Sequence, residues 1–324
     1  MSKPILGIDV SKLDLSISLL IDKVHYQTKI DNNQQGFKLF IRWLKKYKVI
    51  KIKACMESTG HYGISFANFL YKNNHDVSIV NPICISAFAK SKLSRHKTDK
   101  VDSMIIAEYA SQNDLPLYTP KPRELQEMQS LYRGLQNLKV QQKQITNYLE
   151  SKEHLSASIC ASYNSLAKAI TKEISKIEKA IDDLLANSTV MKQKIDNMQT
   201  IPGIGKMTAV AVIAESPDIT SFTSARELAA YAGLTPKHKT SGTSVRGKSS
   251  ISKIGSSRLR KALYFPAIVA KNHNPIFIKF SQKLASKGKP SKVIIVAIMR
   301  KLLHIIFGVI KHNTQFNQNF VLDS

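Results

Sequence analysis

Between about residues 120 and 195 the chain almost stops using glycine, and Leu, Gln, Lys and Glu take over. Ile170, Ile174, Ile177, Ile181 and Leu184 recur by fours and threes, and Leu125, Met128, Leu131, Leu135 and Leu138 form a similar stripe before them. This spacing lines apolar side chains along one seam of a helix, as in a coiled coil, and such a seam has to be buried. The pattern predicts two long helices broken near residues 151–158. Their seam closes either within an antiparallel hairpin or on another subunit, and periodicity does not choose between the two.

The flanking regions differ in kind. Up to about residue 115, strand and helix patterns alternate. Residues 5–9 form a short apolar strand. Leu13, Leu15, Ile17 and Leu19 alternate with Asp14, Ser16 and Ser18, which predicts a second strand with one wet face. Residues 25–30 suit its hairpin partner. Phe37, Phe40, Ile41 and Leu44 mark an amphipathic helix. Residues 50–56 are a strand that ends at Glu57, residues 66–70 are helical, and a strand over 77–80 is stopped by Pro82. The order is that of an α/β domain with a mixed sheet. From about residue 196 the chain is mostly helical. It opens with Ile201-Pro202-Gly203-Ile204-Gly205-Lys206, which is either a helix-hairpin-helix turn offering amides to a phosphate or a plain turn between helices. The expected division is residues 1–118, 119–195 and 196–324.

A formal charge of +25 on 324 residues, with pI 9.9, favours a polyanionic partner, nucleic acid before an anionic membrane surface. The charge is uneven, since no Asp or Glu occurs from residue 228 to 322 while Lys and Arg recur throughout. Cys55, Cys84 and Cys160 are isolated, which fits reduced, buried thiols in the cytoplasm and neither a zinc site nor a disulfide framework. No signal peptide pattern opens the chain. The apolar run 293–299 is followed by Arg300, Lys301 and His304, so a buried helix is expected and no membrane span.

Two constellations carry chemistry. Asp9 and Glu57 each close a predicted strand, where many α/β sheets keep their ligand face. Asp99 and Asp102 lie three apart at the start of a helical pattern and so share a helix face. Converging carboxylates repel, and a hard divalent ion, Mg²⁺ or Mn²⁺, relieves the repulsion through oxygen ligands. Taken singly, each acid is more often an ordinary turn or helix-cap residue, and only the joint pattern points to chemistry. The second constellation is residues 241–253, a hydroxyl-rich segment with glycines and cations. Ser241 is either a nucleophile or one of several groups that hold a phosphate, and the residues alone favour the second reading. Arg246, Lys248, Lys253, Arg258, Arg260 and Lys261 serve phosphate neutralisation under both.

The order strand-Asp, hairpin, strand-Glu, late helix-Asp is that of RNase H-like and RuvC-like nucleases. The whole chain resembles the insertion-sequence 110 family of DEDD transposases, the bridge-RNA-guided recombinases. The resemblance rests on seven segments in the family's order: Gly7-Ile8-Asp9-Val10-Ser11-Lys12, Glu57-Ser58-Thr59-Gly60, Asn81-Pro82, Lys97-Thr98-Asp99-Lys100-Val101-Asp102, Ile201-Pro202-Gly203-Ile204-Gly205, Ala232-Gly233-Leu234-Thr235-Pro236 and Ser241-Gly242-Thr243-Ser244-Val245-Arg246-Gly247. It implies a RuvC-like domain, a coiled-coil region and a mostly helical transposase domain. It implies that Asp9, Glu57, Asp99 and Asp102 bind Mg²⁺ and that Ser241 forms a covalent phosphoserine link to DNA. The implied partners are donor and target double-stranded DNA, a structured guide RNA and further copies of the chain, as a dimer or tetramer at the nucleoid of a prokaryotic cytoplasm. The rival expectations are a RuvC-like nuclease or junction resolvase that uses water, and a nucleic-acid-binding protein without activity.

Overall fold

The computed structural model describes residues 3–58, 60, 62–92, 98–237, 240–241, 245–246 and 250–317, with the backbone alone at 152, 240, 241, 245 and 246. The chain divides into two compact units, Met1–Pro120 and Lys121–Ser324.

The first unit is built on a five-stranded mixed sheet. Strands β1 (Ile5–Val10), β2 (Asp14–Ile21) and β3 (Val24–Asp31) form an antiparallel meander. The β2–β3 turn is made by Asp22 and Lys23, both at positive φ (45° and 71°), as a twist-matched two-residue hairpin requires. Helix α1 (Gln34–Lys45) starts where the Asn33 side chain accepts from the Gly36 amide. Strand β4 (Lys53–Glu57) then enters parallel to β1, and after α2 (Ile64–Lys72) comes β5 (Asp76–Val80), parallel to β4. The sheet order is β3-β2-β1-β4-β5. Helices α3 (Pro82–Ser91) and α4 (Asp99–Gln112) complete the unit. One face of the sheet buries Leu6, Ile8, Leu15 and Ile17 with Phe37, Phe40 and Phe66. The other packs Cys55 and Val80 with Ile85, Ile106 and Ala110.

Two expectations change here. The wet face of β2 does not exist: Ser16 and Ser18 are 5% and 0% exposed, because α4 lies over that face. Ser18 is satisfied by a 2.8 Å hydrogen bond with Nδ1 of His25 on β3. Pro82 does more than stop β5, since it opens α3 at the first helical position, where its missing N–H costs nothing.

The second unit begins with the long helices α5 (Arg123–Glu150) and α6 (Ala157–Ala186). They run antiparallel within one chain. Lys139 meets Glu178 at 2.8 Å, Gln142 donates to Thr171 at 2.9 Å, and the Tyr148 and Tyr163 rings lie 4.6 Å apart. Leu135, Ile145, Ile170, Ile174 and Ile181 close the seam. Then follow α7 (Thr189–Gln199), α8 (Lys206–Glu215) and α9 (Ala225–Tyr231). Four two-residue strands come next: β6 (Pro236–Lys237) pairs with β9 (Ser250–Ile251), and β7 (Thr240–Ser241) pairs with β8 (Val245–Arg246). The unit ends with α10 (Ser257–His273), α11 (Pro275–Ser286) and α12 (Ser291–His312). Among the described residues α12 alone is long and apolar enough to cross a bilayer. Its Ile294, Ile298, Leu302, Leu303 and Ile306 are instead buried in the core of the unit. Glu215 is 4% exposed and is held by Arg133 of α5 through Nε and a terminal nitrogen at 2.8 and 2.7 Å.

The thiols follow the expectation only in part. Cys55 is buried, and burial pushes its pKa up to about 12, so it is inert. Cys84 is exposed and Cys160 partly so.

Candidate active site

The parallel pairing of β1 and β4 runs Gly7 opposite Cys55 and Ile8 opposite Met56. The next residue in each strand is a carboxylate, Asp9 and Glu57. With side chains alternating faces, both point to the face that Gly7 and Cys55 share. Gly7 shows what occupies that face. A Cβ added there would lie 2.1 Å from the Ser103 carbonyl oxygen and 2.4 Å from the Ala107 amide, so the backbone of α4 rests directly on the glycine.

Helix α4 is tied down at three levels. Near its start, the Gln27 side chain donates to the Lys100 carbonyl at 3.2 Å. In the middle, Nε2 of His25 lies 3.6 Å from the Glu108 carboxylate, whose other oxygen pairs with Lys92 at 2.9 Å. At the end, Lys53 of β4 donates to the carbonyls of Ala110 and Asn113 at 3.0 and 2.8 Å. This is the favoured end of a helix for a cation. Asp99 and Asp102 occupy the first turn, which Thr98 caps by accepting from the Val101 amide.

Three of the expected acids feel one another. Burial raises the pKa of Asp9 above its ordinary 3.8, and the charges of Asp99 and Asp102 raise it further. Glu57 closes β4 beside Asp9 by register, and it lies close enough to Cys55 for its charge to help raise that thiol. Among the described residues, however, no group of three or more His, Cys, Asp or Glu side chains stands ready-made as an ion cage. The donor set is all oxygen, and its mutual repulsion is what a hard divalent cation relieves, so these residues suit Mg²⁺ or Mn²⁺ in chemistry.

Sequence reasoning missed Lys29. It lies opposite Ser16 on β2, and Ser16 lies opposite Asp9, so the three form one row across the sheet. Its ammonium is 3.2 Å from Asp14 and 3.8 Å from Asp99. The Asp14 hydrogen bond, then the charges of Asp14, Asp99 and Asp9, raise its pKa. Strand alternation alone would have put Lys29 on the face of Asp31. Only the register brings it to Asp9.

In the second unit, Ser241 and Arg246 have described backbones in the β7–β8 hairpin, and Lys248 falls outside the described residues. Lys253 (φ 56°), Arg258 and Lys261 are exposed. Arg260 is committed in part to the fold: its guanidinium donates to the Ala232 carbonyl at 2.7 Å. Gly233 (φ 68°) permits this, since a Cβ there would come within 2.6 Å of that guanidinium. At Gly203 (φ 100°) a Cβ would meet Ala270 of α10 at 3.0 Å, so this glycine of the Ile201–Gly205 turn serves close packing.

The description "Transposase IS116/IS110/IS902 family" matches residues 195–282, and that of the DEDD transposases of the IS110 type matches residues 6–159. The pilin gene-inverting protein of Moraxella bovis is 34% identical over 98% of this chain and 99% of its own length, and that of Moraxella lacunata matches to the same extent. The transposase for insertion sequence element IS1111A of Coxiella burnetii is 25% identical over 83% of this chain and 78% of its own length.

Proposed function

This chain belongs to the IS116/IS110/IS902 family of transposases, whose members cleave and recombine DNA, and we propose that it is a site-specific recombinase with a serine nucleophile. In this reading the first unit is a RuvC-like DEDD domain. The α5–α6 hairpin supplies a coiled-coil region, and the rest of the second unit is the transposase domain. Asp9, Glu57, Asp99 and Asp102 hold Mg²⁺, which when bound supplies positive charge to a phosphate and lowers the pKa of a nearby hydroxyl. The Ser241 hydroxyl gives up its proton and bonds to the scissile phosphorus, and the DNA oxygen leaves and takes a proton. A hydroxyl from the partner duplex then displaces the serine. One phosphoester is broken for each one made, so no nucleotide cofactor is consumed.

The observation that best supports the acid set is the register that seats Asp9 beside Glu57 on the face beneath α4. The α10 start supports the nucleic-acid surface. Arg258, Arg260 and Lys261 sit in its first turns, with no acid among them. Cations there oppose the helix dipole by about 0.3–1 kcal/mol each, a cost that a bound phosphate reverses. A structured guide RNA, donor and target DNA and a homo-oligomer complete the proposal. The relatives include a gene-inverting protein and insertion-sequence transposases. One strand-exchange chemistry serves both outcomes, because inversion and mobilisation differ in how the two sites are arranged.

The test is a denaturing gel with end-labelled DNA and Mg²⁺. A protein–DNA adduct is expected from the natural chain and absent from Ser241→Ala. If Ser241→Ala still cleaves at full rate without adduct, the enzyme is a water-using nuclease. If Asp9→Ala leaves every activity unchanged, the protein only binds.

A further inference from the structure

A groove of about 340 Å³ opens on the second unit between α10 and α12. Val296 and Met299 of α12 and Ile251 of β9 give it apolar walls, and Arg260 and Lys261 also contribute to its lining. Tyr264 and Phe265 stand at its rim, edge to face with centroids 5.7 Å apart. Phe265 is 73% exposed and Tyr264 38%, so no packing within the unit accounts for the phenylalanine ring. The groove is built entirely from the acid-free stretch and begins ten residues after Ser241 in sequence.

Aromatic faces flanked by cations are how proteins hold unpaired bases, because every base has a π-face and every nucleotide a phosphate. A second copy docking through the same patch would set Arg258, Arg260 and Lys261 against their own equivalents without an acid to separate them. Charge complementarity therefore favours a polyanion. We propose that this groove holds an unpaired base of the DNA strand next to the phosphate that Ser241 attacks, with Phe265 as the stacking surface and Lys261 on the adjoining phosphate. The choice of DNA rests on the serine reading above.

The test uses the full chain carrying Ser241→Ala, so that no strand is cut. It is titrated with short single-stranded DNA containing one fluorescent 2-aminopurine. Binding with quenching is expected. Phe265→Ala weakens it about tenfold and abolishes the quenching while leaving the salt dependence unchanged, since no phosphate contact is lost. Phe265→Trp restores both. Lys261→Ala lowers the salt slope by about one. An oligonucleotide abasic at the probe position binds the unsubstituted groove as weakly as normal DNA binds Phe265→Ala. Equal binding of normal and abasic DNA would overturn the proposal, as would tighter binding of the matching RNA. So would a Phe265→Ala variant that binds DNA normally but sediments as a smaller species, which would make the patch an interface between copies. Failure of the serine reading is seen separately, as a missing adduct in the natural chain, whereas the quenching is measured without Ser241.

Discussion

Replacing Gly7 with alanine tests the geometry of the acid site without touching an acid. The new Cβ would lie 2.1 Å from the Ser103 carbonyl oxygen and 2.4 Å from the Ala107 amide, both backbone atoms of α4. Ordinary contact between heavy atoms is about 3.5 Å, so α4 has to retreat by more than ~1 Å. No side chain can move aside in its place. Overpacking of this kind costs about 1–3 kcal/mol, which in a domain of this size lowers Tm by roughly 5–10 °C. Under the proposed mechanism, the larger effect falls on catalysis. Asp99 and Asp102 travel with α4 while Asp9 and Glu57 stay on the sheet, and a misplacement of ~1 Å costs on the order of 100-fold in rate. The assay is single-turnover adduct formation in saturating Mg²⁺, beside a thermal melt. Ile8→Val is the control. It thins the core on the opposite face, costs about 1 kcal/mol and should leave the rate within about twofold. If Gly7→Ala melts normally and forms adduct at the natural rate, α4 does not fix the acids in the way described.

Three further outcomes are expected from the same geometry. The raised pKa of Asp9 means that its carboxyl adds stability below about 3.8 that is lost as pH rises through its folded value. Asp9→Asn should therefore melt higher than the natural chain in EDTA near neutral pH, with the difference vanishing in acid, while losing adduct formation. Lys29→Met removes a positive charge beside Asp14 and Asp99 and should tighten Mg²⁺ binding roughly fivefold, read as the Mg²⁺ dependence of Tm. Arg133→Met leaves the Glu215 carboxylate buried without its partner and should cost about 3 kcal/mol in denaturant unfolding. Arg133→Met with Glu215→Leu should recover most of that loss.

What the sequence disclosed was local. Apolar runs ending in Asp9 and Glu57, the four-and-three stripes of α5 and α6, and the Asp99–Asp102 spacing are each written in adjacent residues. What it hid depends on pairing across distance. The register of β1 on β4 joins residues far apart along the chain, and it decides that the two acids are neighbours. The polar face of β2 read as wet because Ser16 and Ser18 are polar, yet α4 covers it and His25 satisfies Ser18. Nothing in the neighbouring residues singles out Lys29, which meets Asp9 only through the β1–β2–β3 register. Arg260 looked like a free phosphate contact, but part of its guanidinium serves the Ala232 carbonyl.

Helix α4 behaves as a stiff rod of fourteen residues, ~20 Å long, anchored at its tail by the two hydrogen bonds of Lys53. The position of the acids at its tip is therefore set partly by a lysine at the opposite end of β4 from Glu57. Substitutions around Lys53, Ala110 and Asn113 lie outside any catalytic motif. They should still tune the reaction, as adjusting the far mount of a lever moves its working end.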